Sequence, residues 1–173
     1  SILEFDNCRI PDAQRLGDVH KGFHVANEWL GATRLQVAAT CLGRAERALE
    51  HALQWSVDRQ QFGQQICKFQ GVSFKLADMA MEIECARLLL YKACWLRDND
   101  LPFSKEAAMG KLYCSELMYR CANHAVQLHG GYGLMKEYDV ERFYRDQKLL
   151  DIGEGTSEVQ RIVIARHIGA RCL

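Results

Sequence analysis

Ala38-Ala39-Thr40-Cys41-Leu42-Gly43-Arg44-Ala45-Glu46-Arg47-Ala48-Leu49-Glu50-His51-Ala52 is the stretch that decides the fold. Ala38, Cys41, Leu42, Ala45, Ala48, Leu49 and Ala52 recur at steps of three and four, the spacing of one buried helix face. Working outward, Val25, Leu30 and Val37 precede the stretch and Val57 follows it, so one long helix is expected from Phe23 to Arg59. Gly31 leaves room for a bend near its start. The segment Gln64–Gln70 breaks the period, with Gly63 as punctuation. A second helix is expected over Val72–Asp98, with Leu76, Met79, Ile83, Ala86, Leu90 and Ala93 inward. Asn99-Asp100-Leu101-Pro102 reads as a turn, and Ser104 as the N-cap of a third helix reaching His129. Gly130-Gly131-Tyr132-Gly133 ends it. A shorter helix is expected over Glu137–Leu150, and a last one from Thr156 to the C-terminus. Long helices joined by short links predict an all-α fold: an antiparallel four-helix bundle plus a C-terminal helix.

The start of the chain does not fit that pattern. Ile2–Ile10, closed by Pro11, reads as one β-strand, and a lone strand cannot satisfy its own backbone groups. It therefore needs a sheet that the rest of the chain does not supply. Residues 1–20 are expected to be the last strand and linker of a preceding β domain, and residues 21–173 the bundle. Ser1–Asp6 lacks the basic and apolar regions of a signal peptide.

Charge and composition narrow the function. Twenty-two basic residues balance 22 acidic ones, which argues against a strongly basic nucleic-acid binder or a polybasic membrane anchor. No apolar run reaches the ~20 residues of a membrane-spanning helix. The eight cysteines form no Cys-x-x-Cys pair, and most lie in strings such as Thr40-Cys41-Leu42 and Glu84-Cys85-Ala86, where a thiol reads as a small apolar filler. Reduced, mostly buried thiols in a reducing compartment are expected, without a metal site.

Three segments depart from simple bundle logic. Arg59-Gln60-Gln61-Phe62-Gly63 reads as a helix C-cap, a cation and a glycine at the negative end. The same residues also present a cation, an amide and an aromatic face suited to a phosphate and a planar base. Gln127-Leu128-His129-Gly130-Gly131-Tyr132-Gly133 is either a glycine helix end or a backbone free to approach a ligand, with His124 and His129 as ordinary partly buried histidines. In Gly153-Glu154-Gly155-Thr156-Ser157-Glu158 a carboxylate lies between two glycines. The Thr156 amides open a helix N-terminus able to bind a pyrophosphate. Arg34 and Arg59 stand 25 residues apart, about 37 Å on a continuous helix and on nearly one face. They cannot serve one phosphate, and if both are functional they serve different ligands or different subunits.

Together, Arg59-x-Gln61-Phe62-Gly63, Gln127-x-x-Gly130-Gly131-x-Gly133 and Glu154-Gly155-Thr156-Ser157-Glu158-x-Gln160-Arg161 resemble the acyl-CoA dehydrogenase family, specifically its C-terminal helical domain. The resemblance implies that Glu154 is the general base removing the α-proton of an acyl-CoA thioester, with hydride passing to N5 of FAD to leave a 2-enoyl-CoA. It places Thr156 and Glu158 on the flavin side of the site and Gly155 against the substrate. Arg34 would meet the CoA moiety. Arg59, Gln61, Phe62, Gln70, Gln127, Gly130 and Gly131 would hold the adenosine-pyrophosphate half of a neighbouring subunit's FAD. Many relatives carry an aromatic residue where this chain has Gly153, which would widen the acyl pocket. The resemblance also implies a homotetramer (a dimer of dimers), an electron-transferring flavoprotein as partner, and a bacterial cytoplasm or mitochondrial matrix. Two other readings share these residues: a flavin oxidase or enoyl-CoA reductase on the same scaffold, and a non-catalytic oligomerisation module. The isolated segment is expected to be inactive, since family members use two upstream domains to complete the site.

Overall fold

The computed structural model describes residues 2–170. Five helices account for most of them: α1 (Gly22–Asp58), α2 (Gln70–Asp98), α3 (Ser104–His129), α4 (Val140–Ile152) and α5 (Ser157–His167). α3 is the hub, packing against α1, α2, α4 and α5. Its seam with α1 is built of small residues. Ala38, Cys41, Ala45, Ala48 and Ala52 of α1 and Ala107, Cys114, Cys121, Ala122 and Ala125 of α3 are all fully buried. Side chains this short let two backbones approach closely along their length. On α2, the six residues expected to face inward are the six that are buried. Ion pairs then tie the outer surfaces together: Arg120 grips Glu82 at 2.7 Å and Arg87 reaches Glu46 at 2.7 Å.

Ile2–Ile10 is exposed and makes no ladder within this chain; a strand needs a partner, and the sheet it is expected to join is not supplied by the bundle. Several local expectations are corrected. Gly31 does not interrupt α1, which runs on as one helix, and the Phe103 ring lies 3.5 Å from where a Gly31 Cβ would stand. Phe103, not Ser104, occupies the cap position of α3, and no side chain caps it. α4 starts three residues later than expected, after a 3-10 turn at Gly130–Leu134. The thiols are less uniformly buried than expected. Cys41, Cys114 and Cys121 lie in the core, whereas Cys8 and Cys85 are exposed and Cys67 and Cys94 are half-buried. Cys172 lies outside the described residues.

A feature unforeseen from spacing is a short hairpin after α1, β1 (Gln60–Gln61) paired antiparallel with β2 (Gln64–Gln65). Its two-residue loop is Phe62 (φ 53°) and Gly63 (φ 79°), the pair of positive φ values that a tight hairpin loop needs. Gly63 therefore turns a hairpin instead of capping α1. The cap is Arg59, whose N–H donates to Trp55 O at 2.8 Å.

Candidate functional site

Glu154 is held by the shortest of the bundle's links. α4 ends at Ile152 and α5 begins at Ser157, so four residues join the two helices. Within them Glu154 adopts φ 56° and Gly155 φ 95°. The first is a left-handed conformation that a non-glycine residue adopts at a cost, persisting only where surrounding structure imposes it. Gln160 is that surrounding structure. Fully buried, it donates from Nε2 to Glu154 O (3.1 Å) and to Gly155 O (2.9 Å). Thr156 caps α5, its hydroxyl accepting from Val159 N at 3.4 Å.

The Glu154 carboxylate is half-buried and turns back onto α1, where Thr33 Oγ1 donates to Oε2 at 2.7 Å. Two cations lie near it under cover. Arg34 is 9% exposed and its Nε has no hydrogen-bond partner; burial pulls its guanidinium below the ordinary arginine range while Glu154 opposes the shift. Lys111 of α3 has no exposed surface and donates from Nζ to Asp151 O at 2.8 Å. Burial lowers its ammonium from the ordinary lysine value, with Asp151 the main opposing charge and Glu154 a smaller one. Its neighbour Cys41 is pushed up to about 11 by burial, so that thiol stays neutral. The arrangement sets a carboxylate, a proton acceptor when ionised, beside one hydroxyl donor and two buried cations.

At the far end of α1 a groove of about 580 Å³ opens between the hairpin and the α3 terminus. Arg59, Gln61, Gly130 and Gly131 line it, as expected, together with Trp55, His129, Tyr132 and Tyr138. Trp55 stacks on His129 (4.8 Å between centroids), and the Arg59 guanidinium stands 5.7 Å over the Tyr132 ring. Nothing lies within 4 Å of where a Cβ of Gly130 or Gly131 would be, so the backbone there is open to a ligand. Phe62 and Gln127 border an adjoining groove of about 350 Å³, while Gln70 is exposed at the start of α2 and lines neither. Phe62 is 92% exposed in a left-handed conformation. Thr156 and Glu158 lie elsewhere, in a shallow cavity of about 230 Å³ beside Lys148 and Arg161. The hydrogen bond to its own backbone, and a second with Thr156, hold the Glu158 carboxyl below its usual range.

The expected residues thus fall into separate clusters, one around Glu154 with Arg34 and one around Arg59. Residues unforeseen from sequence complete both. Gln160 stood in the Glu154–Arg161 motif without a role assigned to it, and Thr33 carried no distinguishing signal. Lys111 did: it is a lone cation in the small-residue row Ala107, Ala108, Cys114 and Ser115 of α3. Trp55, one turn before Arg59, and Tyr132, beside Gly131, had a weaker one.

The family model for the acyl-CoA dehydrogenase C-terminal domain matches residues 20–169. The chain belongs to the acyl-CoA dehydrogenase family. Among its acyl-CoA dehydrogenase relatives is the probable enzyme YngJ of Bacillus subtilis (strain 168), 52% identical over 94% of this chain and 43% of the relative. The Caffeyl-CoA reductase-Etf complex subunit CarC of Acetobacterium woodii is 46% identical over 95% of this chain and 44% of its own length. A solved structure of PigA with FAD and proline superposes with a TM-score of 0.94 at 33% identity, over 96% of this chain and 44% of that one. The chain spans less than half the length of these relatives. Among the described residues, no helix is long and apolar enough to cross a membrane.

Proposed function

We propose that this segment is the catalytic-base domain of an FAD-dependent acyl-CoA dehydrogenase, with Glu154 abstracting the α-proton. The observation that carries the reading is the Glu154 carboxylate itself, half-buried on a strained loop, hydrogen-bonded to Thr33 and near two buried cations. A thioester α-C–H is a very weak acid. A carboxylate removes its proton fast only where water is scarce and donors stabilise the enolate. Arg34, one residue after Thr33, is placed to meet an anionic part of the same substrate, and Gly155 and Gly153 border the acyl group.

The groove at the other end of α1 fits the adenosine-pyrophosphate half of FAD, which the family resemblance implies. Arg59 supplies a cation, Trp55 and Tyr132 planar faces, and Gly130 and Gly131 bare backbone. When bound, FAD supplies the hydride acceptor that no side chain offers. A separation of about 37 Å between Arg34 and Arg59 fits a flavin shared between subunits. Thr156 and Glu158 contribute to the flavin side of the Glu154 cluster, and Gln61, Phe62 and Gln127 to the other, with Gln70 approaching the flavin from outside both grooves. The assembly we propose is a homotetramer that passes electrons to an electron-transferring flavoprotein, with residues 1–20 joining the bundle to a β domain. The likeness to CarC favours a second reading on the same residues, reduction of an enoyl-CoA.

Replacing Glu154 by Gln in the complete enzyme tests the base. Flavin stays bound while α,β-oxidation of acyl-CoA falls by orders of magnitude; retained turnover removes Glu154 from the mechanism.

A further inference from the structure

Thr33 Oγ1 lies within reach of two acceptors, Glu154 Oε2 at 2.7 Å and Leu30 O at 3.2 Å. A hydroxyl has one hydrogen and two lone pairs, so it cannot donate to both at once. With Glu154 ionised, the hydrogen belongs to the carboxylate, the nearer and charged acceptor. With Glu154 protonated, the carboxylic O–H donates to Oγ1, and the Thr33 hydrogen turns to Leu30 O. Each charge state of the glutamate therefore finds a partner by rotation of one hydroxyl, without movement of the backbone.

We propose that Thr33 is a positioning residue for the base, a reversible hydrogen-bond partner that holds the Glu154 carboxyl in one place before and after it takes a proton. The inference rests on Glu154 being the base. Two further observations support it. Thr33 is 5% exposed within the unbroken α1, a rigid mount, whereas Glu154 stands on a four-residue link at φ 56° and has no such mount of its own. Among the described residues, Thr33 is also the one side chain hydrogen-bonded to the Glu154 carboxylate. The other groups facing that carboxylate act at longer range: Arg34 from α1, Lys111 from α3 and, beside Lys111, Asp151 from α4. α5 contributes the neutral amide of Gln160, which bonds the backbone of the link. In the proton transfer the α-carbon keeps the electron pair of the broken C–H bond. The proton forms an O–H on Glu154, and the Thr33 hydrogen moves from one acceptor to the other without leaving its oxygen.

The test uses Thr33→Val, which keeps shape and removes the donor, and Thr33→Ser, which keeps the donor. Flavin content and the pH profile of kcat/KM are read in the complete enzyme, with Glu154→Gln in parallel. Loss of a hydrogen bond to the charged form moves the acidic limb of the profile upward, by about one pH unit for Thr33→Val. Activity on that limb falls about tenfold with flavin retained. Thr33→Ser follows the native profile. A Thr33→Val profile that superimposes on the native one overturns the inference, as does a Thr33→Ser profile displaced as far as that of Thr33→Val. Should Glu154→Gln turn over normally, the base reading fails and this one with it. A dead Glu154→Gln beside an unmoved Thr33→Val profile sinks the inference alone.

Discussion

The side-chain amide of Gln160 occupies the room a Gly155 side chain would need: its Nε2 lies 2.7 Å from the ideal Cβ position. Gly155 also has φ 95°, a conformation that L side chains rarely adopt. Gly155→Ala is therefore expected to push Gln160 off Glu154 O and Gly155 O and to loosen the link that carries the carboxylate. A loss of about 1–3 kcal/mol follows from one strained residue and its displaced hydrogen bonds. Thermal unfolding and turnover of the complete enzyme should both suffer; an unchanged melt with unchanged rate contradicts the packing argument.

How far the sequence announced this arrangement depends on the range of the contact. The inward face of α2, Leu76 through Ala93, was readable residue by residue because helical periodicity is local. So was the separation of Arg34 from Arg59, which needs only helix geometry. The hairpin at Gln60–Gln65 was missed because its loop begins with Phe62, which gives no turn signal. The bond between Thr33 and Glu154 joins residues 121 apart. No local pattern encodes a pairing that depends on how α1 and the α4–α5 link dock onto α3.

Lys111 is a cation with no exposed surface, compensated through Asp151 O at 2.8 Å and the nearby Asp151 charge. Reversing its sign with Lys111→Glu sets an anion against that carbonyl and removes a cation from the surroundings of Glu154. Breaking a buried charge arrangement this way costs about 3–5 kcal/mol. Lys111→Met removes charge and desolvation together and should cost distinctly less, its main penalty being the orphaned Asp151 carbonyl. Chemical denaturation of both variants measures the difference. Equal destabilisation would show that the site senses only side-chain shape.

The histidines beneath the aromatic groove set a pH dependence of stability. Burial is the main cause that lowers both His129 and His51 from the ordinary value, with Asp139 opposing it at His51 and a bond to Ala125 O opposing it at His129. Below about pH 6.5 the unfolded chain takes up protons that the fold resists. Stability accordingly rises with pH up to that value and falls as pH drops beneath it, by at most about 1.4 kcal/mol per pH unit for each histidine. Denaturation midpoints of the complete protein on either side of that value read the slope, and His129→Gln should flatten it. A midpoint indifferent to acid in this range excludes buried neutral histidines.

Arg59 tests the flavin end independently of the base. Its guanidinium lies over the Tyr132 ring in the groove at the end of α1. If Arg59 meets a flavin phosphate as proposed, Arg59→Ala removes a charge-assisted contact, and flavin affinity should fall about ten- to a hundredfold. Because Glu154 sits with Arg34 at the other end of α1, turnover measured with saturating FAD should recover most of its native value. Flavin release followed by fluorescence, with turnover titrated against FAD, separates the two effects. Native flavin retention in Arg59→Ala would move the cofactor away from this groove.

α2 carries a second apolar row on its outer face. Phe74, Met81, Leu88 and Trp95 are spaced by sevens and are 57–62% exposed, with Tyr91 beside them. A period of seven keeps a row of knobs in line along a helix, the arrangement that packs against another helix. Single exposed apolar residues are commonplace, but an ordered row of large ones marks a surface that is covered in use. If subunits of the proposed tetramer meet here, Leu88→Glu and Met81→Glu in the complete enzyme leave the monomer's core untouched, since neither side chain belongs to it. They also place unpaired carboxylates in the seam. Sedimentation velocity should then show the assembly dissociating to smaller species at micromolar concentration, with helical content preserved. Native sedimentation in both variants would assign this row to another segment of the same chain, because a covering helix from within the subunit would leave the oligomer intact while lowering the melting temperature.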